Sequence, residues 1–406
     1  MFRYINPSFL FKLIKANRWE LFLSICLFSN LYPDLPSFLY YILWLAFILA
    51  ISRMKTKNAG KRSKLAYGLI VLIIFSTIIN VAIFDYRWIM MCIILFITLC
   101  KTSYRFFIFK ERFLFISLFG YAFTGLLNNY AHIKNINYQL YSWSHAGQEF
   151  TIDFSGFTCH PMWLSAACGI GLIFFAYWMN SLWNKGKKIY ALLMLPLMFL
   201  TVQTLVWGGS RSALGISIGT SLLLVWLSNK NIGKTFVILG TFAIMGSIIT
   251  PIILGDSERM QTKKGGFNLV DENGKNSRTE LWDARINEFS TSPIWGIGFA
   301  VTGTGDNAKS GRSETGSGWL TVLSQTGLIG LILSFLLLKR AILPLKLLKN
   351  NPKMALYTAL LAFMSLHTLF EAYIFQSGWY LCFVFWLTIS ILDDYRKYYM
   401  IKIISR

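Results

Sequence analysis

Long apolar runs, each close to the thickness of a bilayer, alternate with short polar turns along most of the chain. Twelve such stretches fall at about 18–32, 35–52, 65–84, 88–101, 112–128, 158–181, 188–206, 211–228, 234–254, 317–338, 353–375 and 378–393, the first being short and the weakest. A spanning helix needs roughly 20 mainly apolar residues. The runs lack the two-residue alternation of strands, and only helices or closed barrels satisfy their backbone in lipid. The pattern therefore predicts an all-α polytopic membrane protein of about 12 transmembrane helices. One interruption is long: residues 255–316 form a polar block, dividing the chain into spans one to nine (1–254), a large loop, and spans ten to twelve with a tail (317–406).

Composition agrees, since 55% hydrophobic residues, 17% aromatics and a mean hydropathy of +0.52 exclude a soluble globular protein. Charge then orients the bundle. The polar block holds eight Lys/Arg and nine Asp/Glu, a net charge of −1, so the other 344 residues carry +22, which leaves the chain at +21. With the N-terminus inside, 28 of the 39 basic residues fall in inner segments: up to 18, 53–64, 101–112, 185–188, 230–234, 339–353 and after 395. By the positive-inside rule both termini are then cytoplasmic and the polar block faces out. The basic excess is thus a topology signal, with no module for reading nucleic acid beside it. No cleavable signal peptide is evident. The six cysteines are scattered through apolar runs and read as small hydrophobes.

Within the polar block, residues 255–276 are rich in Gly, Lys, Asn and Asp and read as a mobile hairpin or lid. Residues 277–289 read as a helix, opened by the capping-box pair Ser277 and Glu280 and stopped by Thr291-Ser292-Pro293. Arg278, Trp282, Arg285 and Phe289 share one face of it. Free N–H groups and a guanidinium in a first turn suit a phosphate; an amphipathic helix lying on the membrane, anchored by Trp282, is the plainer reading. A second arginine, Arg211, sits in the turn Gly208-Gly209-Ser210-Arg211-Ser212 between two spans, as the single positive charge of an outer turn. An ionisable group at a bundle mouth is a functional candidate, and a snorkelling interfacial arginine is the alternative.

The Ser210-Arg211-Ser212-Ala213 turn, Arg278-x-x-x-Trp282 followed by Pro293-x-x-Gly296-x-Gly298, and Trp319-Leu320-x-x-Leu323-x-x-x-Gly327-Leu328-x-Gly330 together resemble the O-antigen ligase/polymerase family. Phe157-Thr158-Cys159-His160-Pro161-Met162 is similar to its polymerase branch, and the ordered resemblance covers roughly residues 150–380. It implies a bundle of the glycosyltransferase C type and metal-independent transfer with no cofactor. The implied donor and acceptor are glycans on undecaprenyl diphosphate, met at the outer face of the bacterial cytoplasmic membrane. A partner protein that sets chain length would fit the same role. Arg211 and Arg278 match the family's diphosphate-engaging arginines. Two fixed guanidiniums can stabilise a departing lipid diphosphate.

The chain departs from the ligases at one place: their His-Asn pair before the next span corresponds here to Gly316 and Ser317. Glu314, beside Arg312, is the nearest base; His160 and the pair His367/Glu371, spaced i, i+4 in the eleventh span, are others. Each also has a structural reading: His160 as a helix-start cap, His367/Glu371 as an intramembrane hydrogen-bonded pair. Arg211, Arg278, Glu314 and His160 are thus the catalytic candidates, and Arg285, Arg312, Trp282, His367 and Glu371 the substrate-binding ones. His132 and His145 are expected in a solvated outer loop, about 129–156, where Tyr138, Tyr141 and Trp143 could touch glycan. The expectation is a surface-polysaccharide polymerase, with an O-antigen ligase, or a lipid-linked oligosaccharide flippase or other transporter, as alternatives. No paired repeats of the transporter kind are visible.

Overall fold

A computed structural model describes residues 17–54, 63–80, 85–99, 103–138, 144–145, 148–149, 154–229, 277–310, 316–342 and 351–404. The helices are α1 (Arg18–Phe28), α2 (Leu39–Arg53), α3 (Lys64–Ile79), α4 (Arg87–Leu99), α5 (Tyr104–Ile133), α6 (Pro161–Asn184), α7 (Lys188–Leu192), α8 (Met194–Trp207), α9 (Arg211–Ser228), α10 (Ser277–Thr291), α11 (Gly318–Ile342), α12 (Pro352–His367) and α13 (Tyr380–Ile404). Two hairpins of two-residue strands are the only strands among the described residues: β1 (Ser144–His145) with β2 (Gln148–Glu149), and β3 (Val301–Thr302) with β4 (Lys309–Ser310).

Eleven of the twelve apolar stretches contain helix, and the ninth, 234–254, lies outside the described residues. Among the described residues four helices are long and apolar enough to cross a membrane: α6, α7 with α8, α9 and α11. The pair α4 and α5, bent by 112°, passes the same test only when the two are taken together as one span, which brings the number to five. α2 and α3 are apolar but shorter. The protein is thus an all-α, multi-pass membrane protein.

Local chemistry sets several helix starts. Ser103, Ser210 and Asn351 cap α5, α9 and α12 through side-chain oxygens that accept N–H groups of the first turn, and Pro352 follows Asn351 at the first helical position. α6 is the central post, and α5, α8, α9 and α12 pack around it. A Cβ at Gly171 would stand 2.8 Å from the Tyr121 carbonyl, so only glycine lets α6 lie this close to α5. Large aromatics, including Trp386, Tyr121, Tyr357 and Tyr380, fill the space between helices and are fully buried.

Three boundaries differ from expectation. The fifth span, expected at 112–128, is part of a 30-residue helix that takes in most of a presumed basic loop. It can do so because its charges are paired inside the bundle. Lys110, with no exposed surface, lies 2.6 Å from Asp394 and donates to Ser390 at 2.6 Å. Glu111 meets Lys353 at 2.6 Å and accepts from the Tyr395 hydroxyl at 2.9 Å. Arg340 and Arg396 both bind Asp393. The eleventh span stops at His367 instead of running to 375, and the twelfth continues to Ile404, carrying Asp393 and Asp394 on its helix.

Candidate functional site

The end of the bundle opposite this ionic cluster gathers the candidate residues. Arg211 opens α9, exposed and with no ion pair to another described residue. The chain reaches it from α8 through Gly208, where a Cβ would stand 2.6 Å from Ser165 Oγ and 3.4 Å from the Pro161 carbonyl. The arginine turn therefore sits directly on the first turn of α6. From the other side Trp207, the last residue of α8, stacks face to face on His132 with ring centroids 3.5 Å apart. Asn129 Nδ2 also donates to Gln203 Oε1 at 3.0 Å, tying α5 to α8. The Arg211 turn is thereby fixed before any ligand arrives.

Neighbouring helices end on the same rim. Gly169 of α6 faces both the Phe363 ring of α12 and Ser217 of α9, so these three helices share one level. Arg211 lies six residues, about 9 Å, further along α9, and His367 four residues, about 6 Å, further along α12. The start of α11 docks on that end of α12: Gly318 N donates to the Thr368 carbonyl at 2.7 Å and Trp319 Nε1 to the Ser365 carbonyl at 2.9 Å. Before it, Gly316 accepts from Trp282 Nε1 of α10 at 3.2 Å. α9, which Arg211 opens, packs along α12, and contacts continue from the end of α12 through the start of α11 to Trp282. Arg278 lies one helical turn before Trp282 on α10.

The segment after α10 explains how a loop helix is held at this rim. α11 is broken at Gly327, whose φ of 64° and ψ of −168° only glycine adopts readily. Backbone groups freed at the break are taken up by the segment after α10. Leu328 N donates to the Pro293 carbonyl at 2.8 Å, Ile297 N to Ser324 O at 2.9 Å, and Gly298 N to Gln325 O at 3.3 Å. The segment Pro293–Gly298 is therefore a wedge seated in a broken helix. Irregular backbone is tolerated in this way when it is buried in protein. α3 closes over it, with Ser76 Oγ donating to Gln325 O at 2.9 Å and Asn80 Nδ2 to Gly296 O at 3.2 Å.

The individual candidates fare differently. His160 caps α6, its Nδ1 accepting the Met162 N–H at 3.1 Å. A neutral ring in that arrangement carries its proton on Nε2, a donor and not a base. Arg285 does not join Trp282 on an open face: it is buried beside Glu288, with NH2 2.6 Å from Oε1. Burial lowers the guanidinium pKa against the opposing pull of Glu288, and raises that of the Glu288 carboxyl against the Gly303 N–H and Arg285. His367 is buried and stacks on Phe363 at 5.3 Å. Glu371 is half-buried one turn past the end of α12, so the two do not share one helix, although Glu371 N donates to His367 O at 3.1 Å. His132 lies on α5 in its stack with Trp207, not in a solvated loop. Tyr138 is exposed. Arg312, Glu314, the 255–276 hairpin, Tyr141 and Trp143 lie outside the described residues, as do the side chains of Arg278 and His145.

Sequence reasoning missed Glu288, the wedge and the His132–Trp207 stack. The wedge had a signal in the glycine spacing of Gly296, Gly298 and Gly327, but spacing alone does not say that two glycine segments meet. The five cysteines in the described segments form no disulfide with one another and are buried or half-buried.

Fold and rim together define a helical multi-pass membrane protein with its cationic candidate residues on broken or capped helix ends at one mouth. Residues 196–335 match the family model described as O-antigen ligase. That segment runs from α8 into α11 and carries Arg211, Arg278 and the wedge, and the match supports an assignment to the O-antigen ligase/polymerase family, whose members are glycosyltransferase-like enzymes. A search of curated proteins finds no match to the chain.

Proposed function

We propose that the chain is a polymerase of O-antigen or a related surface polysaccharide. It would transfer a growing glycan from undecaprenyl diphosphate to a hydroxyl at the non-reducing end of a lipid-linked repeat unit. The acceptor oxygen attacks the anomeric carbon, the bond from that carbon to the diphosphate oxygen breaks, a base takes the hydroxyl proton, and the lipid diphosphate departs. Arg211 and Arg278 would bind that diphosphate and offset the charge that builds on it. Glu314 would take the proton, with Arg312 beside it; His367 and Glu371 would line the acceptor side from the end of α12. The reaction would face the outer side of the cytoplasmic membrane, with both termini inside.

One observation carries this reading: the exposed Arg211 at a helix start, held rigidly on a rim continuous with the helix that carries Arg278. Polymerase is favoured over ligase at Gly316, which stands where the ligases have histidine. Its φ is +67°, and a Cβ there would come within 3.1 Å of Leu281 and 3.3 Å of Trp282, so a larger side chain has no room without movement. The ligase reading rests on the description of the matched family. Deleting the gene separates the two. Loss of a polymerase leaves single repeats capped on the lipid A core, whereas loss of a ligase strands long polymer on the carrier lipid and refutes the proposal. Chain extension by purified protein from lipid-linked repeats, without nucleotide sugar, separates an enzyme from a flippase.

A further inference from the structure

Glu288 joins α10 to the β3–β4 hairpin. Its Oε1 lies 2.6 Å from Arg285 NH2 of its own helix and accepts the Gly303 N–H of the β3–β4 hairpin at 2.6 Å. That hairpin follows the wedge directly, and the wedge residue Ile297 donates to Ser324 O of α11 at 2.9 Å, beside the break. The carboxylate is buried, with 2% of Glu288 exposed, so these bonds are shielded from water and geometrically demanding. No other carboxylate among the described residues of α10 is buried: Glu280 and Asp283 are exposed.

We infer that Glu288 is a positioning residue that fixes the orientation of α10, and with it Arg278, against the broken helix α11. The inference rests on the proposed role of Arg278 in diphosphate binding. Two turns and more separate Glu288 from Arg278, so it acts through the helix and not by contact. The wedge holds one end of α10 by backbone bonds, but these define a tether about which the helix could pivot. The Glu288 bond to the hairpin removes that pivot. An arginine delivered on a rigid helix meets a diphosphate with its entropy already lost.

The test is binding of undecaprenyl diphosphate, without glycan, to the purified full chain in detergent by thermophoresis. Glu288→Gln is expected to weaken binding about tenfold, the scale of a hydrogen bond to a charged group. Arg278→Ala weakens it as well, and the double variant binds no more weakly than Arg278→Ala alone, because both changes remove one interaction. Wild-type affinity in Glu288→Gln, or a double variant that shows the full product of both losses, overturns the inference. If Glu288→Gln does not accumulate, Glu288→Asp serves, since it keeps the charge but draws the carboxylate back from the Gly303 N–H; the same non-additive loss is expected. Failure of the wild-type protein to bind undecaprenyl diphosphate overturns the diphosphate reading itself, and this inference with it.

Discussion

Replacing Gly327 by alanine tests the wedge and the broken helix together. The backbone there lies at φ 64°, ψ −168°, and a Cβ would overlap the Ile294 carbonyl and stand 2.7 Å from Trp295 N. Holding alanine in that conformation costs about 1–3 kcal/mol. The overlap cannot be relieved by a side-chain rotation, because the opposing atoms are backbone. The wedge must therefore move, putting at risk the bonds at 2.8, 2.9 and 3.3 Å that satisfy both sides of the break. Leaving one buried group unsatisfied costs about 1–3 kcal/mol, so loss of a single wedge bond plus the strain gives roughly 2–6 kcal/mol. Gly305→Ala is the control: it too has a positive φ, 56°, but nothing within 4 Å of a new Cβ. It should cost about 1 kcal/mol, the left-handed penalty alone. Both variants are compared by reversible unfolding in mixed micelles. A Gly327→Ala protein as stable as Gly305→Ala would refute the claim that the wedge occupies the break.

Arg211→Ala and Arg278→Ala should each abolish polymer while membrane levels of the protein stay normal, read by electrophoresis of the surface glycan and by immunoblot; retained polymer removes that residue from the diphosphate site. Glu314→Ala should be severely impaired, and a wild-type chain-length distribution would count against it as the base. Lys110→Ala leaves Asp394 buried without its cation and should destabilise by about 3–5 kcal/mol, more than a Lys110→Met/Asp394→Leu double variant, in the same micellar unfolding. Burial holds the Glu288 carboxyl above its usual range, so its contribution to stability is fully present below the ordinary carboxylate pKa and is lost as pH rises through the folded value. Glu288→Gln should flatten that part of the unfolding profile, and an unchanged pH dependence would contradict it.

Helix existence was legible because lipid makes hydropathy a nearly sufficient signal: α6, α8, α9 and α11 fall within a few residues of the apolar runs. Helix ends were less legible where charge entered the bundle. Lys110 and Glu111 looked like a loop since nothing local reveals partners more than 240 residues away. Arg211 stood out as a charge against the topology trend, and Trp282 as part of a spaced motif, and both lie on the rim. Arg285 was misplaced for a different reason. Helical spacing gives the face of a residue but not whether that face looks out or in, and the tethering of α10 to α11 turned it inward. His132 was assigned to solvent because its stacking partner, Trp207, lies on another helix.

The buried Lys110–Asp394 contact also constrains how the chain is made. Lys110 enters the membrane with α5, whereas Asp394 emerges from the ribosome 284 residues later, in the last helix. Until then α5 carries, six residues from its start, a lysine without the carboxylate that pairs it in the folded bundle. Glu111 likewise waits for Lys353 and Tyr395. The early helices therefore cannot settle into their final depth as they are inserted, and the C-terminal helix acts as the closing stitch of biogenesis. A chain shortened before Asp394 would present an uncompensated charge to the machinery that inspects new membrane proteins, even though the rim that carries Arg211 is encoded in full.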